Sequence, residues 1–154
     1  MRKSAGILMY RMMQGNLEVF LVHPGGPFWK GKESGAWSIP KGEFSDDEEA
    51  LAAAKREFRE ETGTTVSGEF IELKTIRQKG GKLVYAWAVE GDLDAGQIVS
   101  NTFRQEWPYK SGKWQNFPEV DKAAWFEVET AREKINPGQT GLLDDLLIKL
   151  KEMS

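Results

Sequence analysis

The 154-residue chain contains no cysteine and a single histidine, His23. The first absence excludes disulfides, thiolate metal sites and cysteine nucleophiles. The second excludes a histidine-built metal centre and confines any Ser/His/Asp arrangement to one ring. Long apolar runs are missing as well, since nothing approaches the ~20 apolar residues of a membrane span. Ser4 to Tyr10 is apolar, but the run breaks at Arg11 and no small-residue cleavage site follows. There is no basic excess either: 21 Lys and Arg stand against 24 Asp and Glu, a net charge of −3. Nucleic acid is therefore not the expected partner, and a polyanionic ligand needs a local basic pocket or a metal. By default the chain reads as a soluble cytoplasmic protein without a membrane partner. What it has in quantity is carboxylate.

At this length one domain, residues 1–154, is expected, with roughly 68–70% of the unfolded chain's surface buried on folding. Ala5 to Met12 and Leu17 to Val22 are strand-like runs around the turn residues Gln14-Gly15-Asn16. Residues 23–35 form a loop dense in Gly and Pro. A short strand is expected at Ala36 to Ile39, with Pro40-Lys41-Gly42 turning out of it, and residues 46–62 form the clearest helix. Extended stretches at Phe70 to Arg77 and Leu83 to Val89 flank Lys79-Gly80-Gly81-Lys82, a second hairpin signal. Residues 92–118 read as irregular and aromatic, Ala123 to Val128 as a last strand, and Glu129 to Ile135 as a short helix stopped by Asn136-Pro137-Gly138. Leu142, Leu143, Leu146, Leu147 and Leu150 recur with the spacing of an amphipathic helix. A mixed sheet with helices on its faces, an α/β architecture, fits this order.

The helix at 46–62 crowds its carboxylates, although like charges at helical spacing repel. Ser45-Asp46-Asp47-Glu48 reads as a capping box, with acids favoured at the positive end of the helix dipole. Glu57, Glu60 and Glu61 lie far from that end, at i, i+3 and i+4 on one face. Leu51, Ala54 and Phe58 form the apolar stripe to one side, while Glu48, Lys55 and Arg59 point away. Arg56 precedes Glu60 by four residues and can orient it. A solvated charged face is one reading of the three glutamates; oxygen ligation of a hard divalent cation is the other.

Gly42, Glu48, Arg56-Glu57, Phe58, Glu60-Glu61 and Gly63 stand at the spacing of the Nudix box. Seven fixed positions agree, a coincidence of roughly one in 10⁸ at ordinary residue frequencies. The segment resembles the signature of the Nudix hydrolases; Thr64, where that family has an aliphatic residue, is the one departure. "WSIPKG" before the box and "FPEVDKAAWFEVETA" late in the chain extend the resemblance to about 140 residues.

The resemblance implies an α/β/α sandwich that binds a divalent metal, Mg²⁺ or Mn²⁺, and hydrolyses a nucleoside diphosphate linked to another group. Glu57, Glu60 and Glu61 resemble the metal ligands, joined by the Gly42 carbonyl, with Arg56 beside them. Metal in such a site neutralises phosphoryl oxygens and activates water. Lys41, at the mouth of the box, is the candidate phosphate contact. Tyr85 and Arg104 are further candidate substrate contacts, and the polar-aromatic stretch "NTFRQEWPYKSGKWQNF" is the expected place of substrate selection. Glu119, a few residues before the Ala123-Ala124-Trp125-Phe126 strand, is the expected water-positioning carboxylate from outside the helix, with Glu106 its competitor. His23 is expected to be a packing or surface residue. A nucleotide polyphosphate, either a dinucleoside polyphosphate or a nucleoside triphosphate, is the leading small-molecule substrate. A nucleotide sugar such as ADP-ribose is the alternative, and a non-catalytic nucleotide-sensing module is the competitor from another class.

Overall fold

The computed structural model describes residues 2–154. A seven-stranded mixed sheet organises them. Its strands are β1 (Lys3–Met13), β2 (Asn16–Pro24), β3 (Lys41–Glu43), β4 (Ile71–Glu72), β5 (Ile76–Arg77), β6 (Leu83–Glu90) and, after a separate hairpin of β7 (Thr102–Glu106) and β8 (Trp114–Pro118), β9 (Val120–Glu127). The order across the sheet is β4-β6-β1-β2-β9, with β3 pairing β1 and β5 pairing β6. Only β1 and β6 run parallel; the other pairs are antiparallel. A chain that returns parallel to its own first strand needs a crossover, and helix α1 (Ala50–Thr62) lies within it.

The central strand is apolar on both faces because both are covered. Ala5, Ile7 and Met9 pack with Phe20, Ala53, Ala54 and Phe58 on the α1 side. Leu8 and Tyr10 pack on the other side with Leu21, Trp37 and the terminal helices α2 (Val128–Lys134) and α3 (Thr140–Met153). Leu142, Leu143 and Leu146 are fully buried there, whereas Leu147 is exposed. The result is the expected α/β/α layering: α1, the sheet, then α2 with α3.

Four local readings need correction. The capping box does not form: α1 starts at Ala50, and Glu49 at its N-cap makes no side-chain cap bond. Asp46 is paired with Lys3, and Glu48, instead of pointing away, receives both Nε and Nη2 of Arg56 at 2.8 and 2.9 Å. A guanidinium offers a carboxylate two charge-assisted bonds, which outweighs one backbone cap. At Ala36 to Ile39 only isolated bridges occur, Val22 to Ser38 and Trp37 to Ile135, and the strand is displaced to 41–43, where a turn was expected. Its Gly42 pairs with Ala5. The stretch 70–77 is two short strands rather than one, and residues 92–118 contain the ordered hairpin β7–β8.

Candidate active site

The site forms where β3 meets the C-terminal half of α1. Phe58, Ala54 and Ala53 bury one stripe of the helix, which leaves Glu57 and Glu61 turned along the edge of the sheet toward β3. Gly63 ends the helix in a left-handed conformation (φ 79°), its N–H donating to the Arg59 carbonyl at 2.8 Å. Gly42 admits no side chain: a Cβ there would overlap the Glu57 carboxylate. The backbone of β3 and the carboxylate of Glu57 are thus in close apposition. The Glu61 carboxylate in turn lies beside Lys41, whose charge acts on it.

Arg56 neutralises one flank. Its Nη1 donates to Glu57 at 2.6 Å and to Glu60 at 3.2 Å while its other edge holds Glu48. Glu57 is 13% exposed and Glu60 34%, so Glu57 faces inward and Glu60 lies at the border. Burial, opposed by the Arg56 bond, raises the Glu57 pKa above the ordinary carboxylate range. Glu61 is pushed up to about 8, first by burial and then by the charge of Glu57. Lys41 is driven down to about 8, chiefly by burial and then by the charge of Lys82. Each side chain is driven toward its neutral form, the signature of charge held in poorly solvated surroundings.

Glu119 reaches this cluster from a distant part of the chain. Burial raises its pKa and the charge of Glu60 adds to the effect, while its own charge acts on Glu57 and Glu61. Backbone bonds position it. Asn101 donates to the Glu60 carbonyl at 2.8 Å and accepts from Glu119 N–H at 2.8 Å, so one residue ties the end of α1 to the entrance of β9. Gly25 N–H donates to the Glu119 carbonyl at 2.9 Å. Glu106 is elsewhere engaged, its carboxylate accepting the N–H groups of Lys110 and Gly112 at 3.2 and 2.9 Å in the β7–β8 turn.

Lys41, Glu61 and Glu119 line one cavity of about 230 Å³ together with Trp29, Ser38 and Gln139. Tyr85 and Arg104 do not line it. Tyr85 is edge-on to Phe44 (centroids 6.0 Å apart) on β6, and the Arg104 guanidinium lies 5.0 Å from the Trp114 ring on the hairpin. Gln139 and Ser38 carried no signal in the sequence. The buried Gln139 accepts from Ile39 N–H at 3.1 Å and donates to Ser38 Oγ at 3.0 Å, fixing the segment that leads into Lys41 from 100 residues away. His23 is buried, with Nδ1 2.9 Å from Asp121 and Nε2 donating to the Lys32 carbonyl at 2.6 Å.

Among the described residues no three carboxylates or imidazoles stand grouped at metal-holding distance. The donors nevertheless suit a hard cation. They are all oxygens, the inner ones are poorly solvated, and the Gly42 backbone is pressed against Glu57 without an intervening side chain. Glu57, Glu60, Glu61 and the Gly42 carbonyl would hold it.

The sequence matches the family described as NUDIX domain over residues 1–146. No curated protein matches the sequence. Among solved structures the chain is similar to the C. elegans Ap4A hydrolase binary complex (TM-score 0.66, 24% identity, 99% of each chain covered). It is also similar to the NUDIX domain of Shewanella oneidensis NrtR complexed with ADP ribose (TM-score 0.65, 16% identity, 96% of this chain and 87% of that one). A mutT/nudix family protein from Listeria innocua is a third (TM-score 0.62, 16% identity, 99% and 95%). At these identities the likeness to solved structures establishes the fold, and the family match carries the class: the chain belongs to the Nudix family.

Proposed function

We propose that this chain uses Mg²⁺ or Mn²⁺ to hydrolyse a pyrophosphate linkage in a nucleotide polyphosphate, either a dinucleoside polyphosphate or a nucleoside triphosphate. The observation that carries the reading is the crowding of Glu61 and Glu119 beside Lys41 at one cavity, with Glu57 close by: burial first, and then the charges of Glu57 and Glu119, raise the Glu61 pKa. Such an arrangement is unfavourable unless a cation and a phosphate complete it.

A cation held by Glu57, Glu60, Glu61 and the Gly42 carbonyl supplies charge neutralisation at phosphoryl oxygens. The chain's own residues do the rest. Arg56 holds Glu57 and Glu60 in place from the outer flank. Lys41 binds a phosphoryl oxygen through its ammonium, and its poorly solvated position strengthens that contact. Glu119, outside the helix, accepts the proton of the attacking water from the bend between β8 and β9, where its charge already acts on Glu57 and Glu61. The Tyr85 and Arg104 assignments receive no such support, as neither lines the cavity.

The likeness to the Ap4A hydrolase, with 99% of each chain covered, supports the polyphosphate reading, and the likeness to the NrtR domain complexed with ADP ribose supports the alternative. A sensor would have no need of Arg56, Glu57, Glu60 and Glu61 together. The deciding experiment is a hydrolysis screen of nucleoside triphosphates, dinucleoside polyphosphates and ADP-ribose with Mg²⁺ or Mn²⁺, products identified by mass. Cleavage of a polyphosphate at an anhydride is expected; turnover of ADP-ribose alone would replace the substrate, and no turnover of any compound would overturn the catalytic reading.

A further inference from the structure

A second cavity, of about 540 Å³, adjoins the first and plays no part in the chemistry above. Its walls are Pro27, Trp107, Phe117 and Pro118, and its polar groups are Lys30 and Asp121. The two cavities share a boundary. Pro24, Trp29 and Glu119 line the first, while their neighbours Gly26, Lys30 and Pro118 line the second. The Gly25 to Glu119 backbone bond runs along that boundary. The volume lies within the ~300–1,000 Å³ of small-molecule sites, and its aromatic walls with few polar groups have the composition of one.

Three features narrow the occupant. First, Trp107 is 39% exposed, an uncovered indole at the mouth of a cleft, and Phe117 is backed by Phe103 with centroids 6.0 Å apart. Planar faces of this kind stack on a planar ring. Second, Asp121 is pre-oriented: one of its oxygens is 2.9 Å from the Nδ1 of the buried His23. No bond among the described residues occupies the other oxygen. A fixed carboxylate oxygen at the edge of a stacking slot accepts from an amino group. Third, Lys30 offers a donor nearby, so the slot presents an acceptor and a donor, the complement of a purine edge carrying an amino group beside a ring nitrogen. The neutral base would then lie away from the carboxylate cluster while the phosphates lie in it.

We infer that the cleft between the 24–30 loop and the β7–β8 hairpin is a nucleobase subsite that stacks a purine against Trp107 and Phe117 and reads its amino group through Asp121. This assignment rests on the nucleotide reading of the neighbouring cavity, but it predicts binding that needs neither metal nor phosphate. The selective element is then the cleft beside the hairpin, and Asp121, at the start of β9, is its specificity-determining residue.

The test uses the full-length, metal-free, ¹⁵N-labelled protein titrated with adenosine, with purine riboside (adenosine without its amino group) and with ribose. The Trp107 indole N–H resonance is assigned from the Trp107→Phe spectrum. Adenosine should move the Trp107 indole and the Phe117 and Asp121 amides, and bind roughly tenfold more tightly than purine riboside, the size of one hydrogen bond to a charged acceptor. Ribose should leave those resonances in place. Trp107→Ala should weaken adenosine binding about tenfold, with Trp107→Phe retaining most of it. Unmoved Trp107 and Phe117 resonances at saturating adenosine would overturn the subsite, and equal affinity for adenosine and purine riboside would overturn the role of Asp121. Both results are independent of turnover, so a protein that binds adenosine here yet cleaves no anhydride would refute the hydrolase reading and leave the subsite standing.

Discussion

The box end of α1 and the β7–β8 hairpin are the two regions that would handle a nucleotide, and they are built in opposite ways. The box draws its glutamates from one helix, where spacing alone places Glu57, Glu60 and Glu61 on one face, and it works with oxygen and charge. The hairpin draws its aromatic side chains from strands that pair only with each other, register Thr102 to Pro118 through Glu106 to Trp114, and it works with ring faces. The first can be written as a local motif because reaction chemistry tolerates little displacement. The second depends on how a loop at 24–30 happens to meet a hairpin about 90 residues later, which no local spacing encodes. Catalysis and selection therefore separate along the chain, and that separation can be tested by substitution.

The largest effects belong to the box. Glu57→Gln, Glu60→Gln and Glu61→Gln should each lower kcat by roughly two to four orders of magnitude, the several kcal/mol that metal-assisted charge stabilisation supplies, with the circular dichroism spectrum unchanged. Full turnover in excess EDTA would break the comparison at its first half. Next, Glu119→Gln should lower kcat about 10²–10⁴-fold as the loss of a general base. Glu106→Gln should leave kcat within about twofold, since Glu106 caps a turn; the reverse outcome would exchange the two roles. Lys41→Ala should lower kcat/KM by about 1–3 kcal/mol equivalents, the loss of a charge-assisted phosphate contact; unchanged kinetics would return Lys41 to a structural role.

The smallest effect is on stability and is read without substrate. The Glu61 carboxyl, at about 8 in the folded metal-free protein, binds its proton more tightly than in the unfolded chain at ~4.3. The fold therefore loses stability on this group's account as pH rises from about 4 toward 8. Glu61→Gln should raise the metal-free Tm at pH 7.5 and leave it unchanged at pH 4, and saturating Mg²⁺ should erase the difference by stabilising the wild type. A variant equally stable or less stable at pH 7.5 would show that Glu61 is not held under strain.

Much of this was legible in the sequence, and the reasons for the rest are physical. The box could be read because helix periodicity puts Glu57, Glu60 and Glu61 on one face and the motif spacing adds Gly42 and Glu48, and the mixed sheet could be read because Ala5 to Met12 and Leu17 to Val22 are strand-like runs around a turn. The capping box was misread because Ser45 and Glu48 satisfy the pattern while Arg56, eight residues on, competes for the same carboxylate. The β7–β8 hairpin was read as irregular because most of its residues are exposed or half-buried, leaving no apolar alternation to betray a strand. Asn101, which positions Glu119 through its backbone, and Gln139, which positions the approach to Lys41 through its side-chain amide, act across long separations and carry no composition signal at all.

The central claim is that the acidic crowding is a cation site, and direct titration of the apo protein with Mn²⁺, following free Mn²⁺ by electron paramagnetic resonance, tests it most directly. Wild type should take up Mn²⁺ with saturation, and the double substitution Glu57→Gln with Glu61→Gln should reduce affinity by at least about tenfold while Glu106→Gln leaves it unchanged. Equal uptake by wild type and the double variant would contradict the account.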